Sequence, residues 1–349
     1  VDDLDVTTLD FQSVACSHPI DDLPVVSDLP ASNMRLKAPR DTWKAADDDI
    51  FQDDRAMELS VEHNASILTT DTNLETLLRV PGDATTSWVL PILTKNGVII
   101  MGSPLPQVFS SPRECLTEGT DESLYQNLES QEATSENPAS KFMYMLWTLP
   151  SSSSTRRSNL KVLVRTRVRL RRSDTTDAPL RLRTHIEYFP ERGRELISRY
   201  ERSLWILDQV MKKSSNLCRV DGRNGNILGW EETSVAHAFA ADTKQEQNPM
   251  QGFAQMVHFF QAVSTINFGG EDSGTSTNDH FGSQQSRILI LPGIGKDKKP
   301  LADPYSVSVH APSNAKESVV DLGPMLQKAD GILMNQKAFQ EMQRPWKWE

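Results

Sequence analysis

The stretch LKVLVRTRVRLRR, Leu160 to Arg172, sets a cation at nearly every second residue of a chain whose formal net charge is −10. In an extended strand successive side chains point to opposite faces. Val162, Val164, Thr166, Val168 and Leu170 then share one side, and Lys161, Arg165, Arg167, Arg169 and Arg171 the other. LRLRTHIEY, Leu180 to Tyr188, repeats the arrangement, with Leu180, Leu182, Thr184, Ile186 and Tyr188 inward and Arg181, Arg183, His185 and Glu187 outward. An antiparallel hairpin with one buried and one basic face accounts for both halves.

From Arg156 to Arg183 ten cations face only Asp174 and Asp177, a local +8 that leaves −18 on the rest of the molecule. Segregation of this kind makes a field that attracts anions although the whole chain is acidic. The anion can be nucleic-acid phosphate, an acidic partner or the chain's own acidic arm. A solvated outer face is the plain structural alternative. No exposed aromatics alternate with the arginines, so the pattern implies phosphate contact without base stacking.

The acidic arm is residues 1–70. Acids come in bursts at Asp2, Asp3 and Asp5, at Asp21 and Asp22, and from Asp47 to Asp54, and prolines 19, 24, 30 and 39 interrupt any helix. It reads as largely disordered, with Asp48, Asp49, Ile50, Phe51, Asp53 and Asp54 as a short docking segment. Order is expected from Thr72, where Thr72 and Glu75 form a capping box. SWVLPILTKNGVIIMG follows as a hairpin around Asn96-Gly97, then the strand FMYMLWTL at 142–149, a helix from about Arg192 to Lys213, and a second hairpin at Asn224-Gly225. Pro249 opens another helix, and RILILP and YSVSVH are strands. The expected fold is α+β: mainly antiparallel sheet built from hairpins, with a few helices packed on one side. The folded domain is set at 71–312, and 313–349 is a tail with an amphipathic helix.

No apolar run reaches the ~20 residues needed to cross a bilayer, and the start lacks the order of a signal peptide. The chain begins with Val1 and reads as a fragment or a processed chain. Cys16, Cys115 and Cys218 are too few and too scattered for a disulfide framework and read as free thiols in a reducing compartment. Gly293-Ile294-Gly295-Lys296 has neither the spacing nor the following Ser or Thr of a phosphate loop. No histidine pair has metal-ligand spacing, and no serine or cysteine nucleophile stands in a catalytic pattern. On these grounds no cofactor, no metal and no enzyme is expected.

A series of motifs runs through the middle of the chain. It comprises Trp88-x-Leu90-Pro91, Pro104-Leu105-Pro106, Tyr144-x-Leu146-Trp147, KVLVRTRV with LRLRTHIEY, Glu201-x-x-x-Trp205, and Arg219-Val220-Asp221 before Asn224-Gly225-Asn226 and Glu231. In this order the series resembles the C-terminal domain of subunit 2 of the little elongation complex, the NMDA receptor-regulated protein 2 family. The likeness spans roughly 87–232 and extends more faintly to His310. It implies a nuclear, non-enzymatic scaffold that supports small nuclear RNA gene transcription by RNA polymerase II and III. The implied partners are the complex's large subunit, an elongation factor of the eleven-nineteen lysine-rich leukemia (ELL) type, and RNA polymerase. Trp147, Trp205 and Asp221 then matter for folding. The alternative function is a nucleic-acid-binding domain that contacts phosphates through 160–188.

Overall fold

A computed structural model of the chain describes residues 10–17, 23–26, 28–36, 50–79, 88–103, 117, 120–128, 141–149, 159–172, 179–211, 214–232, 250–265, 285–291 and 308–310. The larger sheet has eight strands, written here in spatial order: β1 (Phe11–Cys16), β6 (Lys141–Leu149), β7 (Leu160–Val168), β3 (Ile67–Thr70), β5 (Val98–Met101), β4 (Trp88–Lys95), β12 (Gln285–Leu291) and β13 (Ser308–His310). The smaller sheet has five: β11 (Ile227–Glu232), β10 (Ser214–Asp221), β9 (Pro179–Glu187), β8 (Leu170–Arg172) and β2 (Val25–Val26). Most pairs are antiparallel; β3 lies parallel to both β5 and β7, β9 to β10, and β2 to β8. With helices α1 (Asp54–Glu62), α2 (Asp71–Arg79), α3 (120–128), α4 (Arg199–Val210) and α5 (Met250–Thr265), the class is α+β.

Several elements follow directly from local chemistry. Asn96 and Gly97 both take positive φ, 52° and 76°, which closes the β4–β5 hairpin with a turn whose twist matches the strands. Ser198 caps α4: its hydroxyl accepts from the Glu201 amide while the Glu201 carboxylate accepts from the Ser198 amide. That box shortens the expected helix at its start, and residues 190–192 form a separate 3-10 turn. At α2 the expected Thr72–Glu75 box is absent. The Thr70 hydroxyl accepts from the Asn73 amide instead, at 3.3 Å, and the Glu75 carboxylate accepts from arginines of β9.

The opening stretch does not form one hairpin. β7 pairs along its whole length with the strand before it, β6, from Leu149↔Leu160 to Lys141↔Val168, and β3 fills its other side. At Arg169 the chain leaves the larger sheet, and only Leu170 and Arg171 pair with β9. Alternation shows which face a residue takes but is silent about which strand lies alongside.

Residues assigned to the arm are built into this frame. Phe11, Leu23, Val26, Leu36 and Ile50 are buried, and β3, with Ile67 and Leu68 fully buried, occupies the middle of the larger sheet. Averaged composition hid these few apolar side chains among the acids, yet each fills a defined hole. Asp2, Asp3, Asp5 and Asp47 to Asp49, together with the expected tail helix beyond residue 313, lie outside the described residues.

The core of the larger sheet's first face joins Ile67, Val162, Val164, Met145 and Trp147 to Leu74 and Leu78 of α2, Leu204 and Leu207 of α4, and Phe253, Val257 and Phe260 of α5. Its second face is covered by α1 and Ile50, which pack on Leu68, Ile100, Tyr144, Leu146 and Leu163. A third cluster joins Leu124, Tyr125 and Leu128 of α3 to Leu170, Leu180, Leu182 and Val220 of the smaller sheet. Phe11 stacks on Trp147 with centroids 4.8 Å apart, and Trp147 meets Phe260 edge-on at 5.9 Å. Phe11→Ala should therefore lower stability by about 3–5 kcal/mol, measured as a reduced urea midpoint. A change below about 1 kcal/mol would mean that β1 adds no packing of its own.

Candidate functional site

α4 lies between the two sheets and serves each with a different face. Leu204, Leu207 and Met211 pack into the core of the larger sheet. Glu201 and Asp208, at i and i+7, look toward β9. On β9, Arg181, Arg183 and His185 share the side that meets this helix, so two arginines and a histidine face Asp208 and Glu201.

Arg183 is the centre of the row. Its Nε and Nη2 donate to the two carboxylate oxygens of Asp208, the Nη2 contact at 3.2 Å, and Nη2 also donates to Glu75 Oε1 at 2.7 Å. Arg181 Nη2 donates to the same Glu75 oxygen at 3.3 Å, with its Nε 3.9 Å from Asp208. Exposure grades along the row: the side chains of Arg181 and Glu75 are 24% and 22% exposed, against 9% for Arg183 and 2% for Asp208. One end of the network is therefore open to solvent and the other is sealed. Near the open end Arg169 forks onto Glu122 of α3 at 2.6 and 3.2 Å and stacks over the Tyr125 ring at 4.6 Å.

Beyond residue 180, among the described residues, no strand covers the outer edge of β9, and α3 meets the amides of Leu182 and Thr184 instead. Leu182 N donates to the Tyr125 hydroxyl at 2.8 Å, and Thr184 N and Oγ1 both donate to Asp121 Oδ1 at 2.6 Å. Burial pushes the Asp121 carboxyl up to about 7, against those hydrogen bonds and the nearby Arg183 and Arg181. At the sealed end burial also opposes charge on Glu201. Its contact with His185 and the hydrogen bonds from Ser198 outweigh that effect and hold it down at about 2. Glu187, fully buried, takes both its partners from Arg219 at 2.7 and 3.0 Å.

The cations expected to form one free basic face are divided among separate places. Lys161 donates to the His63 carbonyl at 3.0 Å, and Arg165, only 4% exposed, donates to Asp53 Oδ2 at 3.1 Å and stacks over Phe142 at 4.3 Å. Asp53 also caps α1 through the Ala56 amide and accepts from the Tyr144 hydroxyl at 3.0 Å. Burial and the Asp53 charge push that hydroxyl's pKa well up. The acidic segment thus lies on the chain's own basic strand, with Ile50 buried, Phe51 half-buried and Asp54 in the first turn of α1. Asp48 and Asp49 lie outside the described residues. Arg167 is half-buried on the same face of β7, and Arg171 is half-buried on β8 between Val25 and Pro179. Arg169, Arg181 and Arg183 are brought together where the sheets meet. Nothing in the sequence marked their partners Glu122 and Asp208, and Glu75 stood out only as the expected capping-box residue. Among the described residues no group of three or more His, Cys, Asp or Glu is arranged to hold a metal ion. Guanidinium forks at a half-open site bind phosphate or carboxylate oxygens.

No family model and no curated protein matches the chain. Solved structures do. Rai1 of S. pombe in complex with 3′-FADP matches with a TM-score of 0.50 at 12% identity, over 80% of this chain and 90% of that one. Rai1 of Scheffersomyces stipitis matches with a TM-score of 0.50 at 12% identity, over 92% and 91%. At this identity the likeness establishes the fold. It overturns the resemblance to little elongation complex subunit 2, whose motifs were weak singly and are met here by the strand and helix order of a different fold. The readings that depended on it fall as well: the non-enzymatic scaffold of small nuclear RNA transcription, and as partners the large subunit, the ELL-type factor and RNA polymerase.

Two outcomes follow from the charge network. The proton on Asp121 favours the folded state, an advantage fully present below its ordinary value of 3.8 and lost as pH rises through about 7. Asp121→Asn should flatten the decline in melting temperature between those values and match or exceed the parent above pH 7. Asp53→Ala removes the carboxylate that meets buried Arg165, caps α1 and accepts from Tyr144, and should lower stability by about 3–5 kcal/mol in urea melts.

Proposed function

We propose that this chain is an RNA-processing enzyme acting on RNA 5′ ends, in the manner its structural neighbours suggest. The nucleotide's phosphates would be held where the two sheets meet, beside Arg169, Arg181 and Arg183. The observation that carries this reading is the Rai1 fold extending over nine-tenths of both chains. The S. pombe neighbour was solved with 3′-FADP, a nucleotide rich in phosphate, and arginine forks are the side chains best matched to such groups. The half-open end of the β9 row supplies them at the surface, while Asp208 holds Arg183 from within. Phosphate-directed binding through residues of 160–188 is also what the alternating cations of the sequence suggest. A nuclear place of work is consistent with this reading.

The test uses the purified chain with RNAs bearing 5′-hydroxyl, monophosphate, triphosphate or cap, and with 3′-FADP, in the presence of magnesium or manganese. Release of a 5′ nucleotide or of the cap, followed by mass spectrometry, is the expected result. Binding should weaken steeply with salt, and Arg181→Ala should weaken it about tenfold. Binding without release from any end would retain the phosphate site and remove the enzyme. Failure to bind any of these ligands at low salt would remove both.

A further inference from the structure

Arg181 and Arg183 both donate to one oxygen, Glu75 Oε1, at 3.3 and 2.7 Å. Two guanidinium groups converging on a single anionic oxygen is also the way arginines hold a phosphate oxygen. The two carboxylates around this pair are unlike. Asp208, 2% exposed, grips Arg183 through two contacts from the sealed side, and its burial makes departure costly. Glu75 stands at the more exposed side on α2, its flexible side chain 22% exposed.

Charge balance decides what a ligand must do here. Among the described residues Arg181 and Arg183 are met by Glu75 and Asp208, so a phosphate added to the intact cluster would bring a further negative charge into a half-buried place. Like charges side by side there are strongly unfavourable. A phosphodiester that replaces the Glu75 carboxylate changes nothing in the sum, and the released carboxylate returns to water. Resting on the RNA reading above, we infer that Glu75 fills, with its own carboxylate, a phosphate subsite formed by Arg181 and Arg183. RNA phosphate enters that subsite by exchange with Glu75, while Asp208 stays as the fixed counter-ion. Glu75 is then a self-occupant that sets affinity, and Asp208 a positioning residue that aims the guanidinium of Arg183.

The experiment measures, with the full chain, the affinity of 5′-phosphorylated pentauridylate and of inorganic pyrophosphate. The proteins compared are the parent, Glu75→Gln, Glu75→Asp and Asp208→Asn, each checked for folding by its melting curve. Glu75→Gln should tighten both ligands about fivefold or more. Glu75→Asp keeps the charge but shortens the reach, and should tighten them by less, whereas Asp208→Asn should weaken them. If Asp208→Asn does not fold, the ordering Gln above Asp above parent carries the test alone. If the parent binds the oligonucleotide and Glu75→Gln binds it equally or more weakly, exchange is wrong and the RNA reading stands. If Asp208→Asn tightens binding as much as Glu75→Gln, loss of negative charge alone is the cause and exchange is again wrong. If Glu75→Gln gains affinity for pyrophosphate and no protein binds the oligonucleotide, exchange stands and the RNA reading falls. If no protein binds either ligand, both fall.

Discussion

A strand with arginine at alternate positions can be covered on both faces only if each buried guanidinium finds an anion inside the protein. β7 meets this constraint, and the rest of the fold is arranged around it. Its apolar face carries Val162, Val164 and Val168 into the main core, and its cationic face is roofed by α1, whose capping residue Asp53 doubles as the partner of Arg165. One carboxylate thus starts a helix, orients a tyrosine and neutralises a buried arginine. Removing it would disturb all three at once, which is why such a pair is costly to break even where its net contribution is small.

The same constraint recurs across β9 with a different solution. There the anions come from helices, Glu75 of α2 and Asp208 of α4, and one end of the row stays within reach of solvent. A network sealed at one end and open at the other combines rigidity with access. The buried half holds the guanidinium groups in a fixed geometry, and the open half is where an external anion can compete. In this arrangement Arg183 belongs to both halves, so the stability of the sheet-to-helix junction and the affinity of the proposed phosphate site draw on the same side chain.

Much of the frame was legible in the chain itself. The Asn96-Gly97 hairpin, the strand at 142–149, the helix expected after residue 249 and the turn at Asn224-Gly225 each rest on signals a few residues long, and each of these elements is present. The long-range features were not. The role of β3 as the link between β5 and β7 depends on four residues, ILTT, preceded by acids and giving no sign of their neighbours. The partners of the arginines stand 25 to 112 residues away in sequence. Family resemblance by motif order failed for a related reason, since short apolar and turn motifs mark strands and hairpins common to many folds.

By itself the sequence determined which residues extend, which coil and which face of each element is apolar, because those follow from backbone preference and side-chain period. It also determined that a cluster of cations would need anions. Only the tertiary structure decided that most of those anions are the chain's own, and that Arg165 lies under a helix while Arg181 stays near water. Charge pairing depends on distance in space, and no local property of a strand records which surface will close over it.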